Sequence, residues 1–137
     1  MPPLSPPIVT SEVRIVDSAG QARLVLSAAF GAPSVDLLTP DGHASAHLGL
    51  DPTGRPRLTL TGPDRSQPGV SLEVDDKGAH VRFDRAAGGS SYLFLNNAGV
   101  SGVVLIDAKN VRRAEVVLGP DGAAQIRRFD AEGKVIP

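Results

Sequence analysis

Turn-forming residues recur along this chain about every eleven residues, and this spacing limits what the chain can fold into more than any other feature. Glycine supplies the positive φ that tight turns need, and Asp or Asn supplies a side-chain acceptor for the local backbone. Turn signals at a regular spacing of about 8–12 residues are typical of all-β proteins. The signals occupy residues 18–20, 30–33, 40–42, 51–54, 63–66, 75–78, 88–89, 96–99, 108–110, 120–122 and 131–133.

The segments between these turns alternate apolar and polar residues as half-buried strands do. Val70, Leu72 and Val74, for example, are separated by Ser71 and Glu73. Successive side chains of a strand point to opposite faces, so this pattern predicts one buried face and one wet face. Three later segments, 92–95, 103–106 and 116–118, are apolar at consecutive positions. We expect them to be covered on both faces.

Together these patterns predict an all-β fold, an antiparallel β-meander of about eleven short, repeat-like strands. The chain has four Phe, one Tyr and no Trp, so its core must be thin and aliphatic. One face of so long a sheet must be covered by another layer. The favoured solution is a homo-oligomeric β-prism, because the late segments are apolar on both faces; a closed barrel and a sandwich stay open.

Residues 1–10 form a proline-rich N-terminal tail or linker in this interpretation, and residues 11–137 form a single β-repeat domain. Four of the first seven residues are prolines, which favour an extended chain. The tail lacks the cationic and continuous apolar regions of a signal peptide. The longest apolar runs fall far short of the roughly 20 residues of a membrane span. The compartment is not indicated.

Composition argues against several kinds of partner. The chain has 14 basic and 15 acidic residues and a net charge of −1, so we expect no nucleic-acid binding and no membrane insertion. Few aromatic residues are present to stack on bases. No cysteine is present, which excludes disulfides and thiolate metal sites.

Several turns share the pattern Asp-x-x-Gly followed by a polar or basic residue. It occurs within residues 16–26 and begins again within residues 129–136, and variants occur within residues 50–60 and 74–83. The chain thereby resembles bacterial proteins built from tandem β-hairpin repeats with Asp-x-x-Gly-Lys/Arg turns, at roughly 22 residues per hairpin. The resemblance implies a hairpin array that assembles with neighbouring chains into a prism or fibre. It implies no enzymatic activity.

No residue pattern indicates catalysis, a cofactor or a metal ion. His43 and His47 would lie about 13 Å apart along one strand face, too far for one metal ion, and His80 belongs to another strand. The turn aspartates lack the spacing of a calcium loop. Gly88-Gly89-Ser90-Ser91 lacks the Lys-Ser/Thr ending of a phosphate-binding loop. We therefore predict a protein that is not an enzyme and binds no cofactor.

Two groups of residues are candidates for contacts with other molecules. The first is an apolar subunit interface in a trimer, formed by Leu93, Leu95, Val104, Ile106 and Val117. The second is a basic edge that binds an anionic partner or forms salt bridges between subunits, formed by Arg112, Arg113, Arg127 and Arg128. Closing a hairpin at residues 120–122 would pair Leu118 near Ala123 or Ala124. Glu115 would then lie opposite residues 126–127, and Arg113 close to Arg128.

These features favour a structural or interaction module, a stalk, fibre or adhesive unit of a larger assembly. The first expected partner is a second copy of the chain; another protein or a glycan stays open. The alternative is a small β-barrel that binds an apolar small molecule.

Deleting residues 1–10 is expected to leave the thermal midpoint unchanged within error. Proline has no backbone N–H, so this segment can contribute few ladder hydrogen bonds to a sheet. The midpoints of the full and shortened chains are compared by circular dichroism. A loss of several degrees would show that Ile8 and Val9 pack on the domain.

Overall fold

The computed structural model describes residues 6–137 as one antiparallel sheet whose strand order follows the sequence. The predicted all-β meander is confirmed, with twelve strands in place of about eleven. The additional strand is the two-residue segment after the last turn. The strands are β1 (Glu12–Val16), β2 (Ala22–Ser27), β3 (Ser34–Leu38), β4 (Ala44–Leu50), β5 (Pro56–Leu60), β6 (Gly69–Val74), β7 (Gly78–Asp84), β8 (Ser90–Asn96), β9 (Ser101–Ile106), β10 (Arg112–Leu118), β11 (Ala124–Phe129) and β12 (Val135–Ile136).

One turn geometry joins most of these strands. In eight of the eleven connections, the first and fifth residues share a backbone hydrogen bond and the N–H of the fourth donates to the carbonyl of the first. Asp51 N–H donates to Arg55 O, and Gly54 N–H to Asp51 O, both at 2.9 Å. The fourth residue has positive φ; it is glycine in seven of these turns and Asn110, at 61°, in the eighth. The turn residues thus set the pairing of the strands locally.

The sheet is open and forms a single layer. β1 and β12 are its two edge strands, and no pairing joins them in the described part of the chain. Each strand packs only beside its sequence neighbours, so neither face is covered by a second layer of residues 6–137. The protomer is therefore neither a closed barrel nor a sandwich.

Very little of this sheet is buried. Val104 and Glu115 are the only side chains with exposed fractions below a tenth among the described residues, at 2% and 3%. The accessible surface is 9671 Å². A compact monomer of 14.2 kDa would expose about 6,800 Å². The missing second layer and the exposed residues 6–11 together account for this excess of about 2,900 Å².

The N-terminal segment contributes little to the sheet where it is described. Residues 6–11 lie outside the strands and are exposed, and β1 begins at Glu12. Residues 1–5 of the predicted tail lie outside the described residues. Within residues 6–137 we find no helix that could cross a membrane.

Gly54→Ala is expected to lower the free energy of unfolding by about 1–2 kcal/mol, because a Cβ disfavours the left-handed backbone. The φ of Gly54 is 84°, and an added Cβ would meet no atom within 4 Å, so the backbone conformation alone is tested. Gly54→Asn is the matched control and should cost less, since Asn110 adopts this conformation in the equivalent turn. Urea unfolding at one fixed chain concentration measures both. Equal losses for the two variants would contradict this account of the turn.

Candidate interaction surface

One face of the sheet carries an unbroken row of aliphatic side chains from β1 to β11. Neighbouring members are register partners, so their side chains point to the same face. Every member is Val, Leu or Ile. We call this the central row: Val13, Leu26, Val35, Leu48, Leu58, Leu72, Val81, Leu93, Val103, Val116 and Ile126.

Two further rows flank the central row on the same face. Between β4 and β11 each strand contributes one residue to either side, two positions from its central residue. The first rim is Ala46, Leu60, Val70, Phe83, Ser91, Leu105, Ala114 and Arg128. The second rim is Leu50, Pro56, Val74, Ala79, Leu95, Ser101, Leu118 and Ala124. The central row and the rims together form the apolar face.

The apolar face is half exposed in the protomer. Leu93 is 57% exposed, Leu95 is 54% exposed, and Ile126 near the sheet edge is 79% exposed. At about 4.8 Å per strand, twelve strands extend roughly 55 Å, with a width of about 20 Å. A contiguous apolar surface of this extent far exceeds the few hundred Å² that monomeric proteins ordinarily expose. It is the most pronounced surface feature of the chain.

The opposite face is polar over β3–β7 and carries ion pairs between neighbouring strands. His47 Nδ1 lies 2.6 Å from Asp36 Oδ1, and Glu73 pairs with Arg57 and has His80 Nε2 3.8 Å away. One side chain of each pair is partly buried, and the other partners His47 and Arg57 are more exposed. These ion pairs keep this face wet and so distinguish it from the apolar face.

Over β8–β10 the polar face contains a small buried cluster of side chains. Val104 is in register with Tyr92 on one side and Glu115 on the other, and all three side chains share this face. Glu115 lies between two arginines: Arg112 Nη1 donates to Oε2 at 2.7 Å, and Arg127 Nε is 2.5 Å from Oε1 without hydrogen-bond alignment. A buried carboxylate needs such partners.

An aromatic ring covers a glycine beside this small buried cluster. Phe94 is the register partner of Gly102, and a Cβ at Gly102 would lie 3.1 Å from the ring and 2.5 Å from Val116 O. The shallow depression of about 340 Å³ that Phe94 lines with Tyr92, His80 and Arg82 is therefore shaped by packing on the sheet. Its lining is partly polar and also includes Asp75, Lys77 and Asn96.

The structure divides the five predicted interface residues between the two faces. Leu93 and Leu95 belong to the apolar face, whereas Val104, Ile106 and Val117 point to the polar face. Val104 is already buried within the protomer. The five residues therefore do not form one surface, because the register that separates them depends on three successive hairpins.

The four predicted arginines also lie in different environments. Arg112 and Arg127 hold Glu115, which faces Arg127 in the register as predicted. Arg113 Nη1 lies 3.5 Å from Asp107 Oδ2. Arg128 lies on the first rim and pairs with Ala114, not with Arg113. The set is not one basic edge.

The histidines lie apart and make separate contacts. His43 Nε2 is 3.2 Å from Thr61 Oγ1, and Arg65 Nη2 is 2.7 Å from His43 Nδ1. His47 Nε2 is directed toward Gly49, where a Cβ would be 2.7 Å away. No group of three or more His, Asp or Glu side chains within residues 6–137 is placed to hold a metal ion.

The carboxylates of the repeated turns are stabilised in their charged form. Gln21 N–H donates to Asp17 Oδ1 and Val111 N–H to Asp107 Oδ1, both at 3.0 Å, and these bonds lower the pKa of both carboxyls below 3.8. In Asp51 the Thr53 hydroxyl is the largest cause of a lowered pKa, followed by Arg55 N–H. Ionised aspartates therefore help to hold the hairpins closed.

Comparison with protein-family models, curated proteins and solved structures finds no match to this chain.

Stability is expected to fall in acid, because a carboxyl with a lowered folded-state pKa stabilises the fold only while it is ionised. This contribution is complete above about pH 5 and is lost as the pH drops through 3.8 toward the lower folded values. Replacing Asp17, Asp51 and Asp107 by Asn, the residue at the same place in the Asn96 turn, should reduce the difference in thermal midpoint between pH 6 and pH 3. An unchanged difference would show that these turns do not carry the acid sensitivity.

Proposed function

We propose that this chain is a non-enzymatic structural module that assembles with copies of itself through the apolar face, as a stalk, fibre or adhesive unit of a larger assembly. The single observation that carries the proposal is the central row: eleven register-aligned aliphatic side chains in a sheet with no second layer. Burial of such a surface is the main favourable term in association.

The area of the apolar face suits an obligate assembly. The protomer exposes about 2,900 Å² more than a compact chain of its mass would. Obligate homo-oligomeric interfaces bury about 2,000–5,000 Å² in total and resemble a domain core cut in half. A second copy supplies the matching surface, because its own apolar face needs the same cover.

Three copies fit the dimensions of the strands. β7, β8 and β10 have seven residues each, or about 23 Å at roughly 3.3 Å per residue. In a three-sided prism with faces about 20 Å wide, each sheet lies about 6 Å from the axis, close to half of the roughly 10 Å spacing of packed sheets. Val and Leu side chains fill that distance. The uniform size of the central row supports a common axis, where three equivalent residues must meet.

The alternative function, an apolar ligand held in a small barrel, has no comparable support. It requires β1 to pair with β12, and these strands form the two edges of the described sheet. The polar face would be the outer surface of the prism, where a protein or a glycan could be bound. No arrangement of side chains on that face favours one of these partners.

Leu72→Lys is expected to disrupt assembly, whereas Ser71→Lys, its neighbour on the polar face, should leave assembly unchanged. A charge on the central row would be buried without a partner at every copy of the contact. Size-exclusion chromatography with light scattering gives the mass, and circular dichroism reports folding. Should Leu72→Lys fail to fold, the milder Leu72→Thr should assemble more weakly than Ser71→Thr. Full assembly of both Leu72 variants would contradict the proposed surface.

A further inference from the structure

The two rims of the apolar face are complementary in size, strand by strand. In β7 the first rim has Phe83 and the second has Ala79. In β8 the order is reversed, with Ser91 on the first rim and Leu95 on the second. Both strands therefore have one large and one small residue beside their central residue.

The same rule continues along the sheet. β9 has Leu105 and Ser101 on the two rims, and β10 has Ala114 and Leu118. Only β6, between β4 and β11, has two residues of equal size, both valines. Apart from β6, large and small residues therefore alternate along each rim over β4–β11, and the two rims are out of phase by one strand. Over β1–β3 the first rim does not alternate, because Ile15, Leu24 and Leu37 are all large.

We infer that the copies in the assembly run parallel, with each strand at the same height as the same strand of its neighbours. This inference rests on the proposed function. Where two sheets meet at an edge of the prism, the first rim of one copy lies against the second rim of the next. At equal heights Phe83 then faces Ala79 of the neighbouring copy, and Leu95 faces Ser91.

The rim sizes do not fit every alignment of the copies. A shift by one strand, about 4.8 Å, places large residues against large ones and small against small, giving overlap at one height and a void at the next. Both are destabilising in a packed core. A two-fold sandwich with reversed strand order brings Val70 against Phe83 where β6 meets β7, but it also sets Leu60 against Ser91 and Ala46 against Leu105. Cross-linking is therefore the measurement that separates it from the parallel arrangement.

Equal heights place each central residue beside its own copies around the axis. This predicts that a single cysteine anywhere in the central row will be linked to itself, whichever strand carries it. The chain contains no cysteine, so an introduced thiol is unique. Val35 in β3 and Val116 in β10 suit the test, since they lie seven strands or roughly 34 Å apart.

The experiment treats purified Val35→Cys and Val116→Cys assemblies, and a coexpressed mixture of the two, with a short bis-maleimide. If the copies are parallel, each single variant cross-links strongly to itself, and the mixture contains no link between residues 35 and 116. The masses of the linked peptides identify which residues are joined. Ser71→Cys on the polar face is the control and should give only background. Light scattering before cross-linking confirms that each variant assembles.

Three results would overturn the inference, and they differ in what else they overturn. Links confined to the mixture, between residues 35 and 116, would show copies of reversed order and leave the proposed function standing. Particles of protomer mass with a native circular dichroism spectrum for the unsubstituted chain would remove the proposed function as well. Cross-linking of the single variants at the level of the Ser71→Cys control, in intact assemblies, would also reject the parallel arrangement.

Discussion

The constraint on which this structure depends is the placement of aliphatic side chains in register on one face of a single antiparallel sheet. A slip of one residue in any hairpin would turn that strand's aliphatic residues to the wet face. Ten connections keep the register between β1 and β11, so that Val13 and Ile126 end on the same face. In most sheets a second layer enforces this register, but here the apolar face has no cover within the described chain, and the turns must hold it locally.

The turns supply that local control by backbone geometry and charge together. A residue of positive φ closes each of the eight similar turns, and an aspartate or asparagine side chain accepts backbone N–H groups in several of them. Each hairpin is thereby specified over a short stretch of chain. A meander made of such hairpins has mostly local contacts, which favours rapid formation of the sheet before any association.

The sequence was sufficient to predict the turns and the alternation because both are local. Glycine and aspartate at the turns and the period of two in β6 required no knowledge of distant residues. The grouping of Leu93 and Leu95 with Val104, Ile106 and Val117 was not correct as one surface, since their faces depend on register across hairpins. Glu115 is buried between Arg112 and Arg127. Of these two contacts, only the one with Arg127 in β11 could be anticipated from the sequence. Subunit arrangement is a property of several chains, so local sequence patterns cannot predict it, and the rim sizes could be compared only after the register was known.

Sedimentation equilibrium of the unsubstituted chain over a wide concentration range tests the central claim most directly. If the apolar face is covered by copies of itself, the folded protein has three times the 14.2 kDa protomer mass. Its thermal midpoint also rises with concentration, because association stabilises the fold by mass action. A folded species that stays at 14.2 kDa across that range, with a midpoint independent of concentration, would contradict the account.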